Sequence, residues 1–403
     1  MSGTGQEGGV GGVGGVGGVG GVGGVGGVGG VGGVGGVGGV GGVGGVGGVG
    51  GVGLGGSGTP LVADAMTRHR DGIVGDWQTV VGGTTPTELP VEGATGWEEN
   101  LRRWEPWVRA NLFDFELQSG MGFAMSGSHA VLSARDASGT ARTLAKLSRP
   151  SMTQFRAQME FVIGYADLRE DRASEILSQM TPQIAFWTSV VNLVPARNKW
   201  TLELIDCVLR LANHVEMRFK HALPSRRPNE LSPQVQPMIQ TPGHGSFPSG
   251  HSTEAHAVAY VLTALVPPPS ASTLLREQLM RQASRCAVNR TVAGVHFPVD
   301  SSAGQYLGII LGQYVENRGR YVPATGSAIL NPSFRAAVDT CEYTSANFQG
   351  SNDFDFRDQY DVATGTFPAT SALPAWLANP SAVDFGATPM MQWLWQRART
   401  EWP

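Results

Sequence analysis

Apolar residues recur at helical spacing through the second half of the chain, most cleanly over 198–223. There Trp200, Leu204, Cys207, Val208, Leu211 and Val215 fall on one face of a predicted helix, and Pro224 stops it. Upstream, Ser151 is suited to cap a helix running to about Leu168. Ala173 to Val194 reads as another, interrupted at Thr181-Pro182, where the ring removes a backbone bond. Downstream, a helix opens at His251 and ends at Pro267-Pro268-Pro269. The next covers 272–294, with Leu275, Leu279, Ala283 and Ala287 inward. A third begins after Asp300, read as its N-cap, and passes Leu307 and Leu311 to reach Val315. A short last helix lies near Met390 to Arg399. Ser and Gly punctuation over 124–150 predicts a hairpin or loop, and the Gly, Thr and Pro of 54–96 predict an extended, peripheral segment. From Arg320 onward Gly, Pro, Asn and Asp predict a wrapping C-terminal segment. The pattern is that of a mainly α protein, with 54–403 as one helical domain.

Residues 8–52 stand apart as fifteen uninterrupted copies of Gly-Gly-Val. The triplet has no proline, so it lacks the chemistry of a collagen helix. One Val per triplet buries too little apolar surface to offset the entropy of ordering glycine. Residues 1–53 are therefore expected to be a disordered low-complexity tail, with an elastin-like interaction tail as the alternative.

Net charge is −4 and the pI about 6.1, which argues against a broad nucleic-acid-binding face. Trp97, Trp104, Trp107, Phe113 and Phe115 interleave with Arg102, Arg103 and Arg109. The acidic balance favours helices with aromatics on the core and arginines outside over a stacking surface for bases. Cys207, Cys286 and Cys341 are odd in number and far apart, as expected of buried thiols in a reduced compartment. The first seven residues show no signal peptide. The most apolar windows, Ala257 to Val266 and Ala303 to Val315, are short and adjoin polar residues, so no membrane span is expected. The expectation is a cytoplasmic or otherwise soluble protein of undetermined oligomeric state.

The chemistry gathers around Pro248-Ser249-Gly250-His251. A loop shaped by Pro and Gly delivers a hydroxyl, free backbone N–H groups and an imidazole to the first turn of an apolar helix, where the dipole favours an anion. Lys220, Arg227 and Arg290 can neutralise a phosphate-like group through charged hydrogen bonds. Asp300, four residues after His296, is spaced to take that ring's second N–H and fix its tautomer. Taken alone, Lys220 reads as a solvated helix end and Arg227 as a surface charge. His221 and Arg226 read as supporting or exposed, and His69, His129 and His214 as structural.

In order, Lys220-x6-Arg227-Pro228, Pro248-Ser249-Gly250-His251 and Arg290-x5-His296-x3-Asp300 resemble a known signature. It is that of the superfamily joining type 2 phosphatidic acid phosphatases, bacterial class A acid phosphatases and vanadium-dependent haloperoxidases. The resemblance covers about 217–312 and implies a helical-bundle core. It implies that Lys220, Arg227, Ser249, Gly250 and Arg290 bind vanadate or phosphate. His296 would bond the central atom, as a nucleophile towards phosphorus or as the vanadium ligand, and His251 would be the general acid and base. One departure is Asn289, where the family has Ser before the arginine.

Which reaction follows is less direct, because vanadate mimics the phosphoryl transition state. His244 lies seven residues before His251, the spacing at which bromoperoxidase-like members carry a second histidine. This makes it a halide or pocket candidate, or a residue of the pocket rim. With the long domain and the lack of a signal peptide, it leads to the expectation of a vanadate-dependent haloperoxidase oxidising halide with hydrogen peroxide. The alternatives are a phosphatase for monoesters or lipid phosphates, needing no cofactor and acting through a phosphohistidine, and a non-catalytic assembly protein with a relict site.

Overall fold

Proline opens helix after helix in this chain, at the first positions, where its missing N–H goes unused. The computed structural model describes residues 60–75, 87–181, 183–266, 272–319, 338–368 and 373–402. The Gly-Gly-Val repeat, Pro182, the Pro267 to Pro269 stop and 320–337 lie outside these ranges. The chain divides into two units, Met1–Glu88 and Leu89–Pro403.

In the first unit, helix α1 spans Pro60–Ile73, where composition predicted extended backbone. Its Ala, Met and Arg residues are good helix formers, and Arg68 bonds Asp64 one turn back at 2.8 Å. The side chains described on it are exposed.

The second unit begins with a 3-10 turn, Trp97–Arg103, and α2, Pro106–Gln118. The expectation of aromatics inside and arginines outside fails at four positions, Trp104 being exposed as well. Trp107 and Phe115 are 72% and 70% exposed, while Arg109 is buried. The Arg109 guanidinium is satisfied there: it bonds Glu203 at 2.6 Å and the Leu101 carbonyl at 3.2 Å, and stacks 4.8 Å over Trp200.

Strands β1 (Met121–Ser126), β2 (His129–Arg135) and β3 (Ala141–Ser148) form an antiparallel meander, Met121 opposite Ala134 and His129 opposite Ser148. The predicted hairpin is thus the start of a sheet. Ser151 caps the next helix through a full capping box with Gln154. The single helix expected up to Leu168 is instead α3 (Met152–Ala157) and α4 (Met159–Tyr165), broken at Gln158. That buried side chain donates to the Asn352 carbonyl and accepts the Val299 N–H, tying the break to distant backbone. Two more helices follow, α5 (Arg169–Ser178) and α6 (Ile184–Val191), on either side of the expected interruption.

Helix α7, Lys199–Ala222, matches its predicted bounds and buries the predicted face. After the short α8 (Pro228–Leu231) come the central pair and their neighbour: α9 (Gly250–Leu265), α10 (Ser272–Val292) and α11 (Pro298–Gly319). On α11, Gly304, Gly308 and Gly312 face α9 one turn apart. A Cβ on Gly308 would lie 2.4 Å from the Thr253 carbonyl oxygen, so the two backbones pack without intervening side chains. Because α11 starts at Pro298, Asp300 lies inside its first turn and does not cap it.

The C-terminal segment does more than wrap. Strand β4 (Val338–Thr344) pairs parallel with β3, Lys146 opposite Glu342, and β5 (Leu377–Val383) pairs antiparallel with β4. The sheet order is β1-β2-β3-β4-β5. Helix α12, Pro389–Arg399, buries Trp393, Leu394 and Trp395, with Trp393 edge-on to Trp200 at 5.1 Å. The protein is mainly α, as expected, and the three cysteines are free and buried. Among the described residues, no helix is long and apolar enough to cross a membrane.

Candidate active site

Four elements meet at the Pro248 to His251 turn: the end of α7, the start of α9, the end of α10 and the start of α11. Ser249 caps α9, its hydroxyl oxygen accepting the Ser252 N–H, while its own N–H donates to the Asp300 carbonyl at 2.9 Å. The turn is thereby fixed to the first turn of α11. Gly250 follows, and any larger residue would have to move the Glu216 carboxyl. A Cβ there would lie 2.4 Å from Oε1 of Glu216 on α7.

Lys220 is buried, and its ammonium donates to the carbonyls of Gly245, Ser246 and Pro248. It clamps the approach loop onto α7. Burial, followed by the charge of Glu216 acting the opposite way, leaves its pKa lowered to about 8.

Arg227 is also buried. Its Nη1 donates to the Val295 carbonyl at 2.8 Å and lies 3.1 Å from His296 Nε2; its Nη2 lies 3.1 Å from His244 Nδ1. On the other side of the His296 ring, Nδ1 is 3.2 Å from Asp300 Oδ2, which also accepts the Phe297 N–H at 2.9 Å. A carboxylate acceptor on one side and a guanidinium donor on the other fix one tautomer: Nδ1 carries the proton and Nε2 the lone pair. Burial, then the charge of Arg227, holds the His296 pKa well below the usual imidazole value. Burial raises Asp300 to about 6.

Arg290 enters from α10. Its Nη2 donates to the Ile176 carbonyl and to Gln179 Oε1, and its Nε and Nη1, both buried, have no hydrogen-bond partner among the described residues. Unpartnered guanidinium N–H groups in a dry site are suited to the oxygens of an anion. His251 completes the group, with Nε2 2.9 Å from the Gln179 carbonyl oxygen. Burial, then the charge of Arg290, lowers its pKa to about 3.

His244 lies at the exposed rim, its ring nitrogen against Arg227. Lys220, Arg227, Ser249, Gly250, His251, Arg290, His296 and Asp300 thus meet around one turn.

A family model describing the PAP2 superfamily matches residues 206–318, from within α7 to the end of α11. Residues 206–318 form a PAP2 superfamily domain. Among solved structures, the chain is similar to the crystal structure of the first transmembrane PAP2 type phosphatidylglycerolphosphate phosphatase from Bacillus subtilis. That match has 18% identity, covers 40% of this chain and 93% of that one, and has a TM-score of 0.24. No curated protein matches the chain.

The PAP2 domain does not build the site unaided. Gln179, just after α5, accepts from Arg290 and from Asn289 Nδ2 at 2.9 Å through its side chain and meets His251 through its carbonyl. Asn289, at the family's serine position, also bonds Glu175 and accepts from Arg172 at 3.1 Å, which ties α10 to α5. Sequence reasoning missed Gln179 because nothing local marks it. It also missed Glu216 and Glu254, which a helical period would have flagged: Glu216 lies one turn before Lys220, and Glu254 three residues after His251. Glu216 is buried, its Oε2 has no partner among the described residues, and burial, then the charge of Glu254, raises its pKa well above the ordinary range. Burial raises Glu254 to about 7, Lys220 opposing.

Proposed function

We propose that this protein is a phosphatase that hydrolyses phosphate monoesters through a phosphohistidine at His296. The observation that carries the reading is the line from Asp300 through His296 to Arg227, which leaves the Nε2 lone pair among buried cations. Arg290, whose Nε and Nη1 have no hydrogen-bond partner among the described residues, holds the phosphoryl oxygens, with the charge of Arg227 beside them and with assistance from Ser249 and the Gly250 N–H. His296 Nε2 attacks phosphorus as the bond to the ester oxygen breaks, and His251 gives its proton to the departing alkoxide. Water then attacks the phosphohistidine, His251 takes its proton, and the N–P bond breaks to release phosphate and neutral His296. The negative substrate counters the charge of Arg290 on His251 and so raises its proton affinity, against the opposing effect of burial.

A cavity of about 530 Å³ adjoining His251 supports hydrolysis over halide oxidation. An ester has an alcohol to accommodate there, whereas peroxide and halide do not need the space. Vanadate fits the same donors, including the unpartnered N–H groups of Arg290, with His296 Nε2 as its ligand, and would supply peroxide activation when bound. Purified protein should hydrolyse p-nitrophenyl phosphate, with orthovanadate as a competitive inhibitor. Bromination of a dye in vanadate, peroxide and bromide, with phosphate esters left intact, would contradict the phosphatase reading and establish the haloperoxidase one.

A further inference from the structure

The cavity beside His251 is unlike the seat next to it. It lies between α6, α7 and α9, and its wall combines the apolar Ile184, Trp187, Leu209 and Val258 with polar groups that include Gln183, Arg210, His251 and Glu254. The charge of Arg210 is answered twice, by Asp206 and by Asp114, the latter at 2.8 Å. Among the described residues Glu254 makes no such ion pair, although His251 shares the wall and the charge of Lys220 acts on it. Gln183 is 8% exposed, and its Oε1 has no hydrogen-bond partner among the described residues. Behind Glu254, Glu216 Oε2 is in the same condition. The uncommitted polar atoms on this side are thus acceptors, beside an aromatic ring. Those on the His296 side include the donors Nε and Nη1 of Arg290, together with Gln179 Nε2 and Asp300 Oδ1.

We propose that this cavity binds an ammonium group carried by the leaving alcohol, held by Glu254 and Gln183 Oε1 over the face of Trp187. The substrate class is a phosphate monoester of an amino alcohol. An ammonium supplies the N–H donors that the two acceptors lack, and a cation over an indole in a partly dry pocket is favoured by the ring quadrupole. A dipolar substrate then matches a dipolar site, its phosphate on Arg290 beside Arg227 and its ammonium on the carboxyl side. An uncharged alcohol would leave Glu254 and Gln183 desolvated without partners, and specificity follows from that difference. The assignment of the cation to the leaving group rests on the phosphatase reading; the binding of an ammonium in the cavity does not.

Non-hydrolysable phosphonates test it on the full chain. A series of ω-aminoalkylphosphonates of graded length is compared by calorimetry with n-alkylphosphonates of matching heavy-atom count. At the length that spans the two ends, the amino compound should bind about tenfold tighter than its alkyl match. In Glu254→Gln and, separately, Gln183→Leu, each checked for cooperative melting, the preference should collapse while the alkyl compound keeps a measurable affinity. Equal binding of amino and alkyl compounds at every length, or an undiminished preference in both variants, overturns the proposal. If the preference is present but no phosphate ester is hydrolysed, the phosphatase reading fails and the ammonium site stands.

Discussion

Asp300 Oδ2 lies 3.2 Å from His296 Nδ1 and, in the same place, accepts the Phe297 N–H at 2.9 Å. One carboxylate therefore sets the imidazole tautomer and ties down the backbone that carries the imidazole. With Asp300→Asn, the amide can donate to Nδ1 and turn the tautomer over, moving the proton to Nε2. The turnover number should fall about 100-fold or more while KM for the ester changes little, as steady-state kinetics would show.

Arg290 carries two nitrogens, Nε and Nη1, without hydrogen-bond partners among the described residues, while its Nη2 is held by Ile176 and Gln179. Arg290→Lys keeps the charge and loses the planar guanidinium, and kcat/KM should drop about 100- to 1,000-fold. Near-normal kinetics in this variant would mean that charge alone is sufficient there.

Lys220 and Glu216 share a buried face of α7, and the lysine holds the loop leading to the site. Lys220→Met removes three carbonyl partners and leaves Glu216 without its nearest cation, so unfolding free energy should fall by about 3 kcal/mol. Adding Glu216→Gln should recover part of the loss, and a double-mutant cycle by chemical denaturation measures it.

Glu254 gives a pH signature. Its folded-state pKa of about 7 lies above the ordinary 4.5. Between those values the folded chain holds a proton the unfolded chain has released, so this group's contribution is present below pH 4.5 and is lost as pH rises through 7. Glu254→Gln removes that dependence. Its stability relative to the parent should improve by about 1 to 3 kcal/mol between pH 4.5 and pH 8. Denaturation midpoints at the two pH values check it, and a difference that does not vary with pH contradicts it.

How much of this was legible in the sequence follows the range of the interactions. Helix α7 was readable because Trp200 to Val215 repeat a local period and Pro224 ends it. The gathering of Lys220, Arg227, Ser249, His251, Arg290 and His296 around one turn was readable because these residues fall in three short motifs. The sheet was not, since β3 finds β4 across nearly the whole helical body, and no local pattern encodes the pairing of Lys146 with Glu342. Arg109 was put outside because arginine usually is; its buried position depends on Glu203 and Trp200, far along the chain. Gln179 joins His251, Arg290 and Asn289 only after α5 has packed on α10. The glycine stripe of α11 was visible as letters, but its meaning required the backbone of α9 beside it.

The central claim is a covalent one and can be tested as such. Protein mixed with a 32P-labelled phosphate monoester and quenched in alkali, where phosphohistidine survives, should carry label on the peptide containing His296. The label should chase off with unlabelled substrate and be absent from His296→Ala. Turnover of the ester with no trapped label in the parent, or equal labelling in His296→Ala, would contradict the account.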